Sequence, residues 1–228
     1  MKDIKAVLLD VDNTILDFHI CAKVSMQAVF SDFGLTYEER MFPVFLKIND
    51  KLWEEIEKGT LKREELYKIR WKLIFEALGI SGPEPASMDE AFRKYISESA
   101  EPVDGACELL GYLSEKYILC IASNASRARQ IKRLTNAGMI QYIRQIFTSE
   151  EIGHPKPEKA FFDACLAALP DIKREEVVVI GDSLTADIKG GKESGMKTIW
   201  YNHKKDTLLP VPTPDYTVDS LFEIMQIL

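Results

Sequence analysis

Short apolar runs rich in β-branched residues alternate with helical stretches from about residue 100 onward. The predicted strands are residues 117–123 (YILCIAS), 145–149 (QIFTS), 177–182 (VVVIGD) and 197–201 (KTIWY), and residues 6–10 (AVLLD) belong with them by composition. This alternation is typical of a parallel sheet covered by helices on both faces. It predicts an α/β fold.

Glycine and proline mark the ends of the helices expected between these strands. The predicted helices are residues 104–116, 126–138 with Gly138 as the stop, 157–169 with Pro157 in the first turn, and 185–195 ending at Gly195. After the Pro-rich stretch 208–215, the residues YTV and a closing helix complete the chain.

Residues 16–98 do not share the strand and helix alternation. Here the apolar positions Leu66, Ile69, Leu73 and Ala77 recur at helical spacing. Glycines at positions 34, 59 and 79 stand where helices would end. We therefore expect about four helices, with residues 81–87 (SGPEPAS) forming a loop, and a chain divided into residues 1–15 with 99–228 and an insert of residues 16–98.

The overall charge limits the classes of partner. The chain has 228 residues, a formal net charge of -7 and four cysteines and three histidines that are dispersed. An acidic surface argues against a nucleic-acid polymer or an anionic membrane as partner, since both need a basic field. The dispersed cysteines suit reduced, buried thiols better than disulfides or a zinc site. With no signal peptide and no apolar stretch of membrane-spanning length expected, we predict a cytoplasmic protein.

Acidic and polar residues follow several of the predicted strands. Asp10, Ser123, the loop around Lys156, and Asp182 each come directly after a strand, and the carboxyl ends of parallel strands meet at one edge of the sheet. Asp10, Asp12 and Asp182 would repel one another there. Carboxylates without histidine or thiolate ligands favour Mg²⁺, which often bridges to a substrate phosphate.

These residues also fit the steps of phosphoryl transfer. Asp10 is a ready nucleophile towards phosphorus, and Asp12, two residues on, is suitably spaced to donate a proton to the leaving group and later to accept one from water. Ser123 is expected to begin a helix and to contact a phosphate oxygen. Lys156 supplies positive charge to the transferring group.

Four motifs resemble those of the haloacid dehalogenase-like hydrolase superfamily, in order and over nearly the whole chain. They are DVDNT (10–14), SN (123–124), Lys156 within GHPKPEKAFF, and GDSLTAD (181–187). The resemblance implies a Rossmann-like, three-layer parallel-sheet core with an inserted helical cap. It places Asp10 as nucleophile and Asp12 as acid and base. An aspartate at position 12 indicates a phosphatase or phosphomutase and not a dehalogenase.

The resemblance also implies a magnesium site. Its ligands would be Asp10, the main-chain carbonyl of Asp12, and Asp182, with Asp187 in support. Phosphate contacts are expected from four residues within the first two motifs, namely Asn13, Thr14, Ser123 and Asn124.

Further segments, including NDKLWEEIEKGTL in the insert, are similar to the house-cleaning pyrimidine 5'-nucleotidases. Asn13 and His154 depart mildly from that pattern. The candidates for substrate contacts in the cap are Phe18, His19, Asn49, Trp53 and Arg70. Several candidate residues have a structural alternative. Trp53 could pack in a core, Arg70 could lie on an ordinary charged helix face, and Ser123 and Asp187 could only cap a helix. Lys156 could be a solvated side chain, and Asn13 and Thr14 could only shape the turn after Asp12.

The expected function is a Mg²⁺-dependent phosphomonoester hydrolase that forms an aspartyl-phosphate and acts on a small phosphorylated substrate, with nucleoside 5'-monophosphates favoured. Phosphoglycolate or a sugar phosphate as substrate, including mutase chemistry, is an alternative within the same chemistry. A non-catalytic binding protein on the same fold is a more distant one. The sequence does not indicate an oligomeric state.

Overall fold

The chain forms two compact units in a computed structural model that describes residues 1, 3–207 and 211–228. One unit comprises Met1–Asp17 and Glu101–Leu228, and the other comprises Phe18–Ala100. Three residues of the predicted Pro-rich stretch, 208–210, lie outside the described residues. None of the helices in the described ranges has both the length and the apolar character needed to cross a membrane.

The first unit is built on a six-stranded, all-parallel sheet. The strands are β1 (Ala6–Leu9), β2 (Ile118–Ser123), β3 (Gln145–Thr148), β4 (Val177–Gly181), β5 (Lys197–Tyr201) and β6 (Tyr216–Val218). Their order is β3-β2-β1-β4-β5-β6, with every neighbouring pair parallel. The predicted α/β fold is confirmed, and each predicted strand is found within a residue or two of its expected bounds.

Alternation along the central strand explains the apolar run that predicted it. In β1, Val7 and Leu9 pack in a cluster on one face of the sheet, while Ala6 and Leu8 pack in a separate cluster on the other face. All four residues are fully buried. Because successive side chains point to opposite faces, a strand covered on both sides must be apolar throughout.

The helices follow the expected order. Among the described residues the α-helices are α1 (Phe18–Asp32), α2 (Met41–Glu57), α3 (Arg63–Leu78), α4 (Pro85–Glu98), α5 (Ala106–Lys116), α6 (Arg127–Asn136), α7 (Ser149–Ile152), α8 (Lys159–Ala167), α9 (Gly190–Glu193) and α10 (Leu221–Ile227). A π-helical segment, Leu184–Lys189, precedes α9. The predicted glycine stops at 34, 59, 79, 138 and 195 all have positive φ.

Three local predictions were wrong. Ser123 does not begin a helix: it is the last residue of β2, and α6 begins four residues later with Ser126 at its N-cap. Helix α4 begins at Pro85, inside the stretch expected to be a loop, because proline is well suited to the first helical position. Pro157 precedes α8 instead of lying in its first turn.

The second unit consists of α1 to α4 around an aromatic core. Trp71 is fully buried and its ring centroid lies 5.7 to 6.0 Å from those of Phe30, Phe45 and Phe92. Ring pairs at these separations add to the stabilisation that apolar burial provides. The aromatic core therefore holds all four helices together.

The predicted apolar stripe of α3 was only partly right. Leu66 is buried, but Leu73 is 37% exposed, and the buried face continues through Trp71 and Ile74. Arg70 belongs to this face and is 3% exposed. A charged residue would not be assigned to a buried face from the sequence, so the predicted stripe ran along the neighbouring side of the helix.

Candidate active site

Asp10 stands at the carboxyl end of β1, where the strand enters a tight turn. Its main-chain N–H donates to the Ile180 carbonyl at 2.9 Å, which extends the pairing of β1 with β4 by one residue. Asn13 has a φ of 62°, and its N–H donates to the Leu16 carbonyl, so the chain folds back directly after the DxD pair. Asp10 is thus held at the sheet edge with an exposed fraction of 8%.

Lys156 is buried against this carboxylate. Its ammonium group donates to Asp10 Oδ1 at 2.7 Å, to Asp187 Oδ1 at 2.6 Å and to the Ala122 carbonyl at 2.7 Å. Only 2% of the residue is exposed. A lysine is rarely buried unless its charge is paired, and here three acceptors satisfy its three N–H bonds. The solvated side chain considered from the sequence is therefore wrong for Lys156.

Asn124 holds the loop that carries Lys156. Its side-chain Oδ1 accepts from the Lys156 main-chain N–H at 2.8 Å, and its Nδ2 donates to the Lys156 carbonyl at 3.0 Å. The amide therefore joins the end of β2 to the lysine loop. A phosphate contact by Asn124 stays a prediction, and the structure gives its side chain a role in placing Lys156.

Three carboxylates meet beside this lysine. Asp10, Asp182 and Asp187 each offer an oxygen atom, and these oxygens lie within 4.8 Å of one another. Asp187 is 1% exposed, and its Oδ2 accepts the Ser183 main-chain N–H at 3.1 Å. The Asp182 carbonyl accepts from the Trp200 indole at 3.0 Å. These hydrogen bonds hold two of the carboxylate-bearing residues at the edge of the sheet.

The donor set fits a hard divalent cation. All three groups are carboxylates, and with one ammonium beside them the cluster retains two formal negative charges. Burial and the neighbouring carboxylates raise the pKa of Asp10 well above its usual value, despite Lys156. Burial and Asp182 likewise raise the pKa of Asp187 against the same lysine. A cluster in this state lacks positive charge, which Mg²⁺ would supply.

Asp12 faces a different set of partners. Arg133 Nη1 donates to its Oδ1, and Gln130 Nε2 donates to its Oδ2 at 3.0 Å. Burial alone would raise the pKa of Asp12, but the charges of Arg133 and Arg129 and these hydrogen bonds outweigh burial and lower it. The two aspartates of the DxD pair therefore occupy opposite electrostatic environments.

Ser123 and Thr14 complete the surroundings of the two aspartates. The Ser123 hydroxyl accepts from Gln130 Nε2 at 2.9 Å and from the Ala125 N–H at 3.1 Å. Thr14 is buried, and its hydroxyl donates to Asp10 Oδ2 at 3.3 Å. The main-chain N–H groups of Asn13 and Thr14 bond to carbonyls within the turn. Phosphate contacts by these residues therefore stay predictions, as does ligation through the Asp12 carbonyl.

The cap candidates lie in the second unit and are described by themselves. Phe18 is buried in the aromatic core, and the ring of the half-buried His19 lies edge-on to it at 6.4 Å. Trp53 packs, partly buried, against a small cluster of Leu52, Ile56 and Leu66. This contact supports the alternative in which Trp53 packs in a core.

Asn49 and Arg70 form a buried polar network. Arg70 donates to Asp89 Oδ1 at 2.5 and 3.0 Å and to Asn49 Oδ1 at 3.1 Å, and its guanidinium lies 4.7 Å from the Phe92 ring centroid. The charged helix face considered for Arg70 is wrong. These contacts give Arg70 and Asn49 a structural role, and substrate contact by either stays a prediction.

Two residues of the site were missed in the sequence. Gln130 and Arg133 are fully buried, three positions apart on α6, yet they read as part of a charged and exposed helix. The available signal was the spacing, since residues at i and i+3 share a helix face. Ile131 is 37% exposed, so the buried face of α6 is more polar than its apolar residues suggest.

Comparisons with known proteins agree with this fold. The haloacid dehalogenase-like hydrolase family matches residues 4–195. The crystal structure of Bacillus subtilis YfnB, an HAD-hydrolase bound to magnesium, superimposes with a TM-score of 0.92 at 31% identity and covers 99% of both chains.

Two curated relatives carry a specific activity in their names. The pyrimidine 5'-nucleotidase PynA of Streptococcus pneumoniae is 31% identical over 87% of this chain and 84% of its own. The pyrimidine 5'-nucleotidase YjjG of Escherichia coli is 30% identical over 97% of this chain and 96% of its own. The chain belongs to the haloacid dehalogenase-like hydrolase family, and it is an enzyme.

Proposed function

We propose that this hydrolase is a Mg²⁺-dependent phosphomonoesterase that acts on nucleoside 5'-monophosphates. The observation that carries the chemistry is the Asp10 carboxylate, held at the end of β1 by Lys156 with Asp182 and Asp187 beside it. The names of PynA and YjjG support a pyrimidine nucleotide as substrate. Residues 1–15 with 99–228 act as the catalytic core in this proposal, and residues 16–98 as the cap.

The reaction proceeds in two steps on one carboxylate. In the first, an Asp10 oxygen forms a bond to phosphorus and the bond from phosphorus to the ester oxygen breaks. Asp12 gives a proton to the leaving alkoxide. Because Arg133 and Gln130 favour the carboxylate form of Asp12, it must take up that proton from solvent before the step. In the second, Asp12 takes a proton from water as the water oxygen bonds to phosphorus. The bond between phosphorus and the Asp10 oxygen breaks, which releases phosphate and restores the carboxylate.

The other residues orient and stabilise the reacting groups. Lys156 directs one Asp10 oxygen and places positive charge beside the transferring group. Ser123 already accepts two hydrogen bonds, so its hydroxyl serves a phosphate oxygen as a donor. Asp10 and Asp182, supported by Asp187, would hold Mg²⁺, which supplies charge neutralisation for the phosphate oxygens.

Phosphate release from a panel of substrates tests this proposal. We expect turnover of pyrimidine nucleoside 5'-monophosphates with magnesium, and a loss of at least about 10³-fold for Asp10→Asn, a near-isostere that is a far weaker nucleophile. Turnover of Asp10→Asn close to wild type would refute the assigned nucleophile. Release only from phosphoglycolate or hexose phosphates would move the proposal to another substrate, and phosphate transfer between hexose positions would indicate a mutase.

A protein that binds but does not catalyse would give a different result. If magnesium gave neither thermal stabilisation nor activity with any substrate of the panel, a binding protein on the same fold would be the better account. Lys159→Met serves as the matched control, because Lys159 pairs with Asp163 on the exposed side of α8 and has no contact with the carboxylate cluster. We expect this control to keep wild-type turnover.

A further inference from the structure

Helix α6 contacts both oxygens of the Asp12 carboxylate. Arg133 donates to Oδ1 and Gln130 donates to Oδ2 at 3.0 Å, and these two donors lie 121 and 118 positions away in the sequence. A carboxylate with one fixed donor on each oxygen cannot rotate about its terminal bond without losing both hydrogen bonds. The helix therefore sets the orientation of this side chain.

The two donors are themselves fixed. Arg133 and Gln130 are both fully buried, and Gln130 Oε1 accepts from Arg133 Nη1 at 3.3 Å. The second N–H of the Gln130 amide donates to Ser123 Oγ at 2.9 Å. One face of α6 thus ties Asp12 to Ser123, the residue that ends β2. Burial of an arginine is costly unless its charge and N–H groups have partners, so the position of Arg133 depends on Asp12 and Gln130.

We propose that Arg133 and Gln130 are positioning residues that aim the Asp12 carboxylate at the leaving-group oxygen. This inference rests on the proposed function, in which Asp12 transfers the proton. Neither residue is assigned contact with the substrate. Their effect passes through Asp12, so removing them should impair only those substrates whose leaving group needs a proton.

The experiment compares two leaving groups with Arg133→Met. A nucleoside 5'-monophosphate releases an alkoxide that requires protonation, whereas p-nitrophenyl phosphate releases a weakly basic phenolate that does not. We measure kcat/KM, which reports the steps up to phosphoryl transfer. Arg133→Met should lower kcat/KM for the nucleotide by about 10²-fold, within the usual contribution of general acid catalysis, and by less than about threefold for the aryl ester. Arg133→Lys should recover part of the loss.

Matched variants separate positioning from a structural role. Lys132→Met removes the same charge from an exposed position on the same helix and should leave both values unchanged. Adding Arg133→Met to Asp12→Asn should cost nothing more with the nucleotide, since the group that it positions is already gone. An equal loss with both substrates, or a further loss in the Asp12→Asn background, overturns the proposal.

Two outcomes distinguish this inference from the proposed function. If Asp12→Asn itself keeps wild-type kcat/KM with the nucleotide, the proton-transfer role of Asp12 fails. If Asp12→Asn loses activity and Arg133→Met does not, the positioning role alone fails. Should Arg133→Met not fold, Arg133→Lys and Gln130→Met decide the question, because the same selective loss with smaller amplitude is expected and an equal loss on both substrates overturns it.

Discussion

Replacing Lys156 with methionine should destabilise the first unit. Methionine keeps most of the side-chain length but removes the ammonium group that donates to Asp10, Asp187 and the Ala122 carbonyl. The lysine is 2% exposed, so water does not replace those three contacts. Removing one partner of a buried ion pair costs about 3–5 kcal/mol, because the remaining charge is left uncompensated. In Lys156→Met, both Asp10 and Asp187 would lose this compensating charge.

Hydrogen exchange resolves this loss within the unit that carries the site. Amides of β1 and β4 should exchange at least about 10²-fold faster in Lys156→Met, since 1.4 kcal/mol corresponds to a factor of ten. The measurement is made with a chelator present, so that no cation substitutes for the lysine. The exposed Lys159→Met, which breaks a surface pair with Asp163, should change the stability by only about 0.5 kcal/mol.

Acidification gives a second readout of the same variant. The folded-state pKa values of Asp10 and Asp187 lie above their usual value, so the folded chain binds protons more readily than the unfolded chain. Their effect on stability is therefore unfavourable at neutral pH and is relieved as pH falls through the raised pKa values. Lys156→Met should recover part of its loss as pH falls from neutral through these raised pKa values. A loss below about 1 kcal/mol, or one independent of pH, would refute the reasoning.

Three further predictions concern other parts of the chain. Gly181→Ala should lower stability by about 1–3 kcal/mol and impair magnesium binding, since its Cβ would stand 2.1 Å from Asp187 Oδ2. Arg70→Met should destabilise the helical unit by about 3 kcal/mol, because the buried Asp89 would be left with the more exposed Arg93 as its ion-pair partner. Hydrogen exchange of the α3 and α4 amides measures this loss. Lys192 and the Thr198 N–H hold the pKa of Asp215 low against the effect of burial. The wild-type chain should therefore be more stable than Asp215→Asn at pH 7, and this difference in stability should shrink towards pH 3.

Each of these three has a contrary outcome. Unchanged magnesium affinity in Gly181→Ala would show that Asp187 can move without loss. Arg93→Met is the control for Arg70, because Arg93 contacts the same Asp89 from a side chain that is 40% exposed; an equal effect of both variants would contradict a special role of the buried arginine. A gap for Asp215→Asn that does not narrow on acidification would exclude a charged Asp215 as its source.

Much of the fold was determined by patterns that act over a few residues. Strand β1 is apolar throughout because both of its faces are covered, and its four residues, Ala6–Leu9, show this in the sequence alone. The positive φ at Gly34, Gly59 and Gly79 likewise follows from what glycine alone tolerates well. Asp10, Asp182 and the loop around Lys156 each follow a predicted strand, which predicted that these residues would share one edge of the sheet. The structure places them together.

The partners of the charged residues were decided only by the tertiary structure. Whether Arg133 or Arg70 can leave water depends on an acceptor 121 or 19 positions away, and no local pattern records that distance. Taken alone, a buried guanidinium is costly, so a sequence places both arginines at the surface. Folding brings Asp12 and Asp89 to them, and the charge that seemed to exclude burial becomes the reason for the position of each residue.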